Sequence, residues 1–413
     1  MLGFVIERMV TDGEHSVNLE HPQPNPSAAT VVVFEHPVVS RDSADALQRL
    51  GFSVTYLPLN ESNVMGLMTA RPDYVFTINF NRYISEVCEL LKVPYLSWVI
   101  DTPCYPIYDK AIDNPHSYTF IYDAAVALKL RNSGVRQVYH LPVAANVDRI
   151  NPVQLLPGDA LPPTDISFVA NLTKTEYRTF ILPKLGEVGR TQCSNLIASL
   201  DHPGGFAQLP EQIDAQLIQT IIEESGYPLA GDLYLTTADK LAYILGREHS
   251  WQERIAFVRL LKKHFAVSVY GNAEWRDHIT GYRGEADHFT LMPEVFRQSK
   301  INLNLTRSFV EEGLPMRVFD VLGCGGFLLT NDKPDLHRLF TDGKDLVIFR
   351  DTQDLLEICR YYLEHDDERQ AIARQGQATL TEHHTVEQRM IDLFTTVQGE
   401  LRGQPSPLSR WCL

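Results

Sequence analysis

The chain has no run of 18 consecutive apolar residues, so a membrane-crossing helix is not expected. Its opening, MLGFVIERMV, is a short apolar stretch broken by Glu7 and Arg8 with no basic segment ahead of it, and a secretory leader is not expected. Cysteine is sparse: six among 413 residues, at Cys88, Cys104, Cys193, Cys324, Cys359 and Cys412, with no C-x-x-C pair. Scattered cysteines in a long chain predict reduced thiols in a cytoplasmic protein. Positive charge is in deficit, 37 Lys and Arg against 52 Asp and Glu, for a net charge of −15. Such a balance argues against a nucleic-acid partner, which needs a basic footprint, but it leaves room for a local cationic pocket that takes a small anion. Internal repeats and low-complexity tracts are also missing.

What is present is ordinary globular composition, 44% hydrophobic and 22% charged, in a length that suits two or three domains. Short runs rich in Val, Ile, Tyr and Phe read as strands at 31–34, 53–59, 73–80, 95–100, 118–123 and 137–143. Helical segments at 42–51, 82–93 and 124–134 alternate with them, and Gly51 and Gly134 close two of these. In the segment 82–93, Ile84, Val87, Leu90 and Leu91 make one apolar stripe. Residues 3–10 and the loop after them read as an N-terminal extension or hairpin. The proline-rich stretch 151–165 reads as a linker. A second alternation follows, with strands at 166–171, 266–271, 301–306, 327–331 and 346–350. Helices are expected at 292–299, 315–323, 353–378 and 384–402, with several more inserted between about 185 and 264. Strand–helix alternation predicts parallel sheets. Two such domains facing each other would make a cleft at the carboxyl ends of their strands, where open sheets bind ligands. The boundaries drawn are 1–158, 159–384, and 385–413 for the last helix and tail.

The most informative stretch is SFVEEGLPMRVFDVLGCGGFLLTND, 308–332. Pro315 suits the first turn of a helix running to Leu322, and Arg317 and Asp320 share a face of it. The G-C-G-G turn after it is no dinucleotide fingerprint, because that motif runs strand, glycine loop, helix and this one runs helix, glycines, strand. The helix N-terminus near Leu314–Arg317 is the better anion site, with Arg317 adding charge-assisted bonds. No metal site is expected: His383 and His384 are adjacent and diverge on a helix. Cys324 has no nearby His and reads as a small space-filler.

Glu312 and Asp320 are separated by seven residues. This resembles the E-x7-E element of glycosyltransferases with the GT-B fold, with Asp in the second place. LPMRVFDVLGCGGFLLTN is similar to one subgroup, the glycosyltransferases like the spore maturation protein CgeB. ISFVANLTKTEYRTFIL, 166–182, resembles the opening of that subgroup's C-terminal domain, with Ala170 where Gly is usual. LSWVIDTP, 96–103, is a weaker match to a strand end of its N-terminal domain. The resemblance implies α/β GT-B architecture, two facing Rossmann-like domains with parallel sheets and a helical insertion in the second. The last helix would cross back to the first domain. It implies a hexosyltransferase-type enzyme holding a nucleotide-diphosphate sugar, a UDP-sugar favoured; no D-x-D stands in a loop to favour a metal-bound donor, so metal independence is expected. Asp320 would bind the donor ribose and Glu312 would face the donor sugar or phosphate. Arg317, Arg178 and Lys174 would meet the pyrophosphate, and Tyr270, Gly271 and Asn272 lie where the base pocket is expected. Asp for Glu at 320 shortens the reach by one methylene and leaves the stereochemical outcome open.

On the acceptor side, Asp101 ends the strand YLSWVI, where a carboxylate can act as general base or orient a hydroxyl. Glu35, His36, Asn79 and Asn81 end neighbouring strands. Each residue also has a structural reading: Asp101, Asn79 and Asn81 as turn formers, Glu312 as a helix-start carboxylate, Arg178 and Lys174 as solvated charges. The expected acceptor is a glycan, a lipid-linked sugar or a protein. Two other functions share the fold, a sugar-nucleotide isomerase and a non-catalytic sugar-binding or surface-assembly protein. The oligomeric state is left open.

Overall fold

A computed structural model describes residues 28–152, 161, 164–202 and 204–404. The predicted hairpin at 3–10, most of the linker 151–165, Cys412 and the end of the tail lie outside the described residues. The chain forms two compact units. One comprises residues up to Asn146 together with those from His384 onward, and the other runs from Val147 to His383. The division at Asn146 precedes the linker, whereas the sequence reading draws it at 158.

The first unit runs β1 (Thr30–Phe34), α1 (Ser40–Arg49), β2 (Ser53–Leu57), α2 (Glu61–Ala70), β3 (Tyr74–Ile78), α3 (Arg82–Leu91), β4 (Tyr95–Val99), β5 (Ser117–Ile121), α4 (Ala124–Asn132) and β6 (Val138–His140). Its strands form one parallel sheet in the order β2-β1-β3-β4-β5-β6. The central strands β4 and β5 are buried along their whole length, which is why they read as continuous apolar runs. Helix α2 is absent from the sequence reading, because it buries only Val64 and Leu67 and carries almost no periodic signal. The apolar stripe predicted on α3 is also displaced. Its buried face is Ile84, Ser85 and Cys88, and Leu90 is 70% exposed. Ser85 turns inward because its hydroxyl donates to the Ala111 carbonyl at 2.8 Å, so a polar residue takes a core position that periodicity assigns to an apolar one.

The second unit begins with the short helix α5 (Val147–Ile150) and strand β7 (Ile166–Val169). Four helices follow before the next strand: α6 (Glu187–Ala198), α7 (Gly205–Gln212), α8 (Ala215–Ser225) and the 25-residue α9 (Thr237–Leu261). Then come β8 (Val267–Tyr270), α10 (Leu291–Gln298), β9 (Ile301–Asn304), α11 (Met316–Gly323), β10 (Leu328–Asn331), α12 (Pro334–Leu339), β11 (Val347–Phe349), α13 (Thr352–Glu364) and α14 (Asp366–His383). The sheet is parallel, ordered β11-β10-β9-β7-β8, over a core that includes Phe168, Val269, Leu303 and Leu329. The final helix α15 (Val386–Leu401) belongs to the first unit. There Glu387 pairs with Arg49 of α1 at 2.8 Å, and Phe394 packs on Phe52.

Strand order defines where a ligand fits. From β7 the chain steps outward to β8, then crosses back to β9 and continues to β10 and β11 on the other side. Loops leaving the carboxyl ends of β7 and β9 therefore diverge and leave a crevice between them. In the first unit the same reversal falls between β1 and β3.

Candidate functional site

At the β7–β9 reversal a cavity of about 280 Å³ opens, lined by the loop after β7 and by Arg247, Ser250, Trp251, Arg254 and Arg307. The loop is held from below. Asn272 accepts from the Leu172 N–H at 2.8 Å and donates to its carbonyl at 3.1 Å, and the Asn272 N–H donates to Asn171 Oδ1 at 3.0 Å. Glu274 accepts from the Lys174 N–H at 2.7 Å and from Trp251 Nε1 at 3.1 Å. Gly271 has to be glycine: its φ is +156°, and a Cβ there would sit 2.1 Å from the Ala170 carbonyl oxygen. Tyr270, Gly271 and Asn272, read from sequence as a base pocket, thus fasten the ends of β7 and β8 together, and burial raises the Tyr270 phenol pKa.

Cations dominate the lining. The exposed Lys174 stands on the loop, and Arg307 follows β9. Arg247 is paired with Glu176 at 2.9 Å. Arg254 donates to the carbonyls of Asn171 at 2.9 Å and Leu305 at 3.4 Å, one from each diverging loop, and its Nε has no hydrogen-bond partner among the described residues. Burial, then the nearby Arg307 and Arg317, push its pKa well below the ordinary guanidinium value. Crowding like charges is unfavourable unless an anion answers them. The cavity therefore offers several cations to a compact anion such as a phosphate group, with Glu176 and Glu253 answering part of their charge.

Helix α11 supplies a second cluster. Arg317, in its first turn, donates to Met292 Sδ and lies over the Phe296 ring at 5.4 Å. Burial lowers its pKa, opposed by Asp320 and Cys324. The Asp320 side chain is only 6% exposed, and its carboxylate has no hydrogen bond among the described residues. The nearest basic atom is Nδ1 of His288, at 4.0 Å. Buried carboxylates normally accept two or more donors, and this one has room for donors beyond those of the described residues. The glycine turn after α11 serves packing: a Cβ on Gly326 would meet Asn302 Nδ2 at 2.7 Å and the Phe296 carbonyl oxygen at 2.9 Å. Cys324 is buried there, its thiol pushed up to about 12 by burial.

The remaining predicted residues stand apart from the cavity. Arg178 forms an ion pair with the fully buried Glu248 and stacks 4.0 Å over Trp251. It braces the wall that α9 presents and does not line the cavity. Glu312 accepts from Arg338 at 2.6 Å, and Arg338 also reaches Asp335 at 2.7 Å. In the first unit, Asp101 accepts from Asn79 Nδ2 at 2.8 Å at the end of β4. Asn79 is left-handed (φ +59°), and its Oδ1 also accepts from the Ile100 N–H. Burial lowers the His36 pKa while Asp101 pulls it the other way, so β1, β3 and β4 end in one polar cluster. Asn81 caps α3 and is structural. A larger cavity, about 540 Å³, lies between Pro115, Arg131, Arg136 and Tyr139. It sits at the amino ends of β5 and β6, where strand order favours no ligand.

The residues that sequence reasoning misses are Arg247, Trp251, Arg254 and Arg307. The first three are spaced four and three apart on α9 and share one face. That spacing is their signal, inside a stretch with no recognisable motif. Among the described residues no group of three or more His, Cys, Asp or Glu could hold a metal ion, and no helix is long and apolar enough to cross a membrane.

These two units carry the fold of the GT-B glycosyltransferases. Residues 247–395, less than half of the chain and beginning at the cavity-lining Arg247, match a family model described as glycosyl transferase-like. Among solved structures, Anabaena Alr3699/HepE in complex with UDP-glucose matches 90% of this chain and 100% of its own, at 12% identity and a TM-score of 0.50. A glycosyltransferase from Rickettsia africae ESF-5 matches over 92% and 100%, at 11% identity and a TM-score of 0.50. Likeness at this level of identity carries the fold alone. No curated protein matches the chain in sequence.

Proposed function

We propose that the protein is a glycosyltransferase that moves a sugar, hexose type, from a nucleotide-diphosphate donor to a hydroxyl of a glycan, a lipid-linked sugar or a protein. The observation that carries this reading is the cation-lined cavity at the β7–β9 reversal, with the undonated Asp320 carboxylate on the neighbouring helix. In this reading Lys174, Arg254 and Arg307 hold the pyrophosphate, and Asp320 accepts from the ribose. Arg317 adds its field from the first turn of α11. A leaving nucleoside diphosphate develops charge as the glycosidic bond breaks, and fixed cations stabilise it without reorganising. Guanidinium and ammonium groups do this in place of a metal, so donor binding is expected to survive chelation. Asp101, oriented by Asn79, is the proposed base for the acceptor hydroxyl. Glu312, steadied by Arg338, is the carboxylate proposed to face the donor sugar. A UDP-sugar is the favoured donor. The closer relation to the CgeB-like subgroup rests on the 308–332 and 166–182 motifs.

The test is release of UDP or GDP from a panel of nucleotide sugars, with and without mixed oligosaccharide acceptors, in the presence of EDTA. Turnover of one donor, abolished by Asp320→Ala, is expected. Release from none of them, with no nucleotide bound, would overturn the reading.

A further inference from the structure

The loop after β7 and the wall of α9 are joined by a closed ring of contacts. Glu248 of α9 is fully buried, and its oxygens take separate partners. Oε2 accepts from the Thr175 hydroxyl at 2.6 Å, while Oε1 takes the Arg178 guanidinium and, at 2.7 Å, Gln252 Nε2. Arg178 in turn stacks over Trp251, whose Nε1 donates to Glu274 Oε1. Glu274 Oε2 accepts the Lys174 N–H, and Lys174 is joined along the chain to Thr175, where the ring closes. Asn272 also grips Leu172, through its N–H and its carbonyl. Thr173 and Lys174, exposed between these anchors, line the cavity.

A buried ion pair gains little net stability over well-packed apolar side chains, so stability alone is a weak reason for a charge at Glu248. What the ring supplies is position. Thr175 cannot move without breaking a charge-assisted bond, Trp251 cannot tilt without leaving Arg178 or Glu274, and the Lys174 backbone follows both. A loop held before its ligand arrives gives up little conformational entropy on binding, whereas a loose one must be ordered at the expense of affinity. We propose that Glu248 and Glu274 are positioning residues. Acting through Thr175, Arg178 and Trp251, they hold Thr173 and Lys174 ready for the anionic part of a nucleotide diphosphate. This rests on the reading of the cavity as the site of the donor phosphates.

The test is calorimetric titration of the full-length protein with UDP, at a temperature where circular dichroism shows every variant folded. Thr175→Val keeps the shape of the side chain and loses its bond to Glu248, and should weaken binding about fivefold or more. Thr175→Ser restores the hydroxyl and should stay within about twofold of wild type. Glu248→Gln, which breaks the ion pair to Arg178, should weaken binding like Thr175→Val. Trp251→Phe keeps a ring beneath Arg178 and loses the bond to Glu274. Combined with Thr175→Val it should bind about as weakly as the poorer of the two single variants, because either change opens the same ring. Hydrogen exchange at the Lys174 amide should quicken in Thr175→Val and not in Thr175→Ser. A general loosening of the fold would weaken Thr175→Val and Thr175→Ser alike, and that result would overturn the proposal. If Thr175→Val and Glu248→Gln both keep wild-type affinity while Arg254→Gln loses it, the ring is packing alone and the phosphate reading of the cavity stands. If wild type binds no UDP, both fall together.

Discussion

Arg254 carries more of the account than any other side chain. It spans the two loops that diverge at the strand-order reversal, and burial and the neighbouring arginines lower its pKa while Glu253 opposes them. A residue kept there for structure alone would be better replaced by a neutral one, since its two carbonyl partners accept from any N–H. Arg254→Gln, which keeps N–H donors for the loop carbonyls, is therefore expected to leave folding intact and to weaken UDP binding about tenfold or more, the loss of a charge-assisted bond to phosphate. Equal affinity in calorimetry would show that the phosphates lie elsewhere. His36 gives a second prediction, in pH. Burial lowers its folded pKa below the unfolded 6.5, so the unfolded chain binds the proton more readily. Stability of the first unit should then fall as pH drops below about 6.5, and His36→Gln should flatten that part of the profile. Thermal unfolding measured on either side of that pH reads the effect, and a profile unchanged by the substitution would contradict it.

At the scale of elements, the crevice depends on two loops that cannot relax independently. Gly271 sets how closely the ends of β7 and β8 approach, and Gly271→Ala is expected to cost on the order of 2 kcal/mol or more through contact with the Ala170 carbonyl. A substitution without effect on thermal stability would mean that the loop after β7 yields freely. Helix α9 is begun by a capping box, Thr236 with Asp239. Thr236→Ala should cost about 1 kcal/mol, and nucleotide binding should survive it because the cavity residues lie about three to five turns further along. Most strands are legible in the sequence because buried parallel strands are continuous apolar runs between turn residues. INLN and LLTN keep that legibility although Asn302 and Thr330 are buried polar residues satisfied inside the sheet. Helix α2 and the true face of α3 are not legible, since one buries too little and the other buries a serine. The cavity-lining cations are only half legible. Lys174 follows a strand that can be recognised, whereas Arg247, Trp251 and Arg254 reach the crevice only through the packing of a long helix. On a sequence alone their spacing is that of a solvated face.

Across the whole molecule, the net charge of −15 and the cation-lined cavity are two sides of one arrangement. An acidic surface repels polyanions, while four cations gathered at one crevice can still bind a small one. Binding of UDP should therefore weaken as salt rises, by a modest factor, because a sheltered pocket is screened less than an open surface. The two sheets differ in the same sense. The reversal in the second unit ends in Lys174, Arg254 and Arg307, and that in the first ends in His36, Asn79 and Asp101. In the proposed reading one takes the anionic donor and the other the acceptor hydroxyl. The most direct test of this assignment is calorimetric titration of the full-length protein with UDP, beside the Arg254→Gln and Asp320→Ala variants. A single site per chain is expected, weakened about tenfold or more in each variant. Absence of binding to wild type, or equal affinity in all three proteins, would contradict it.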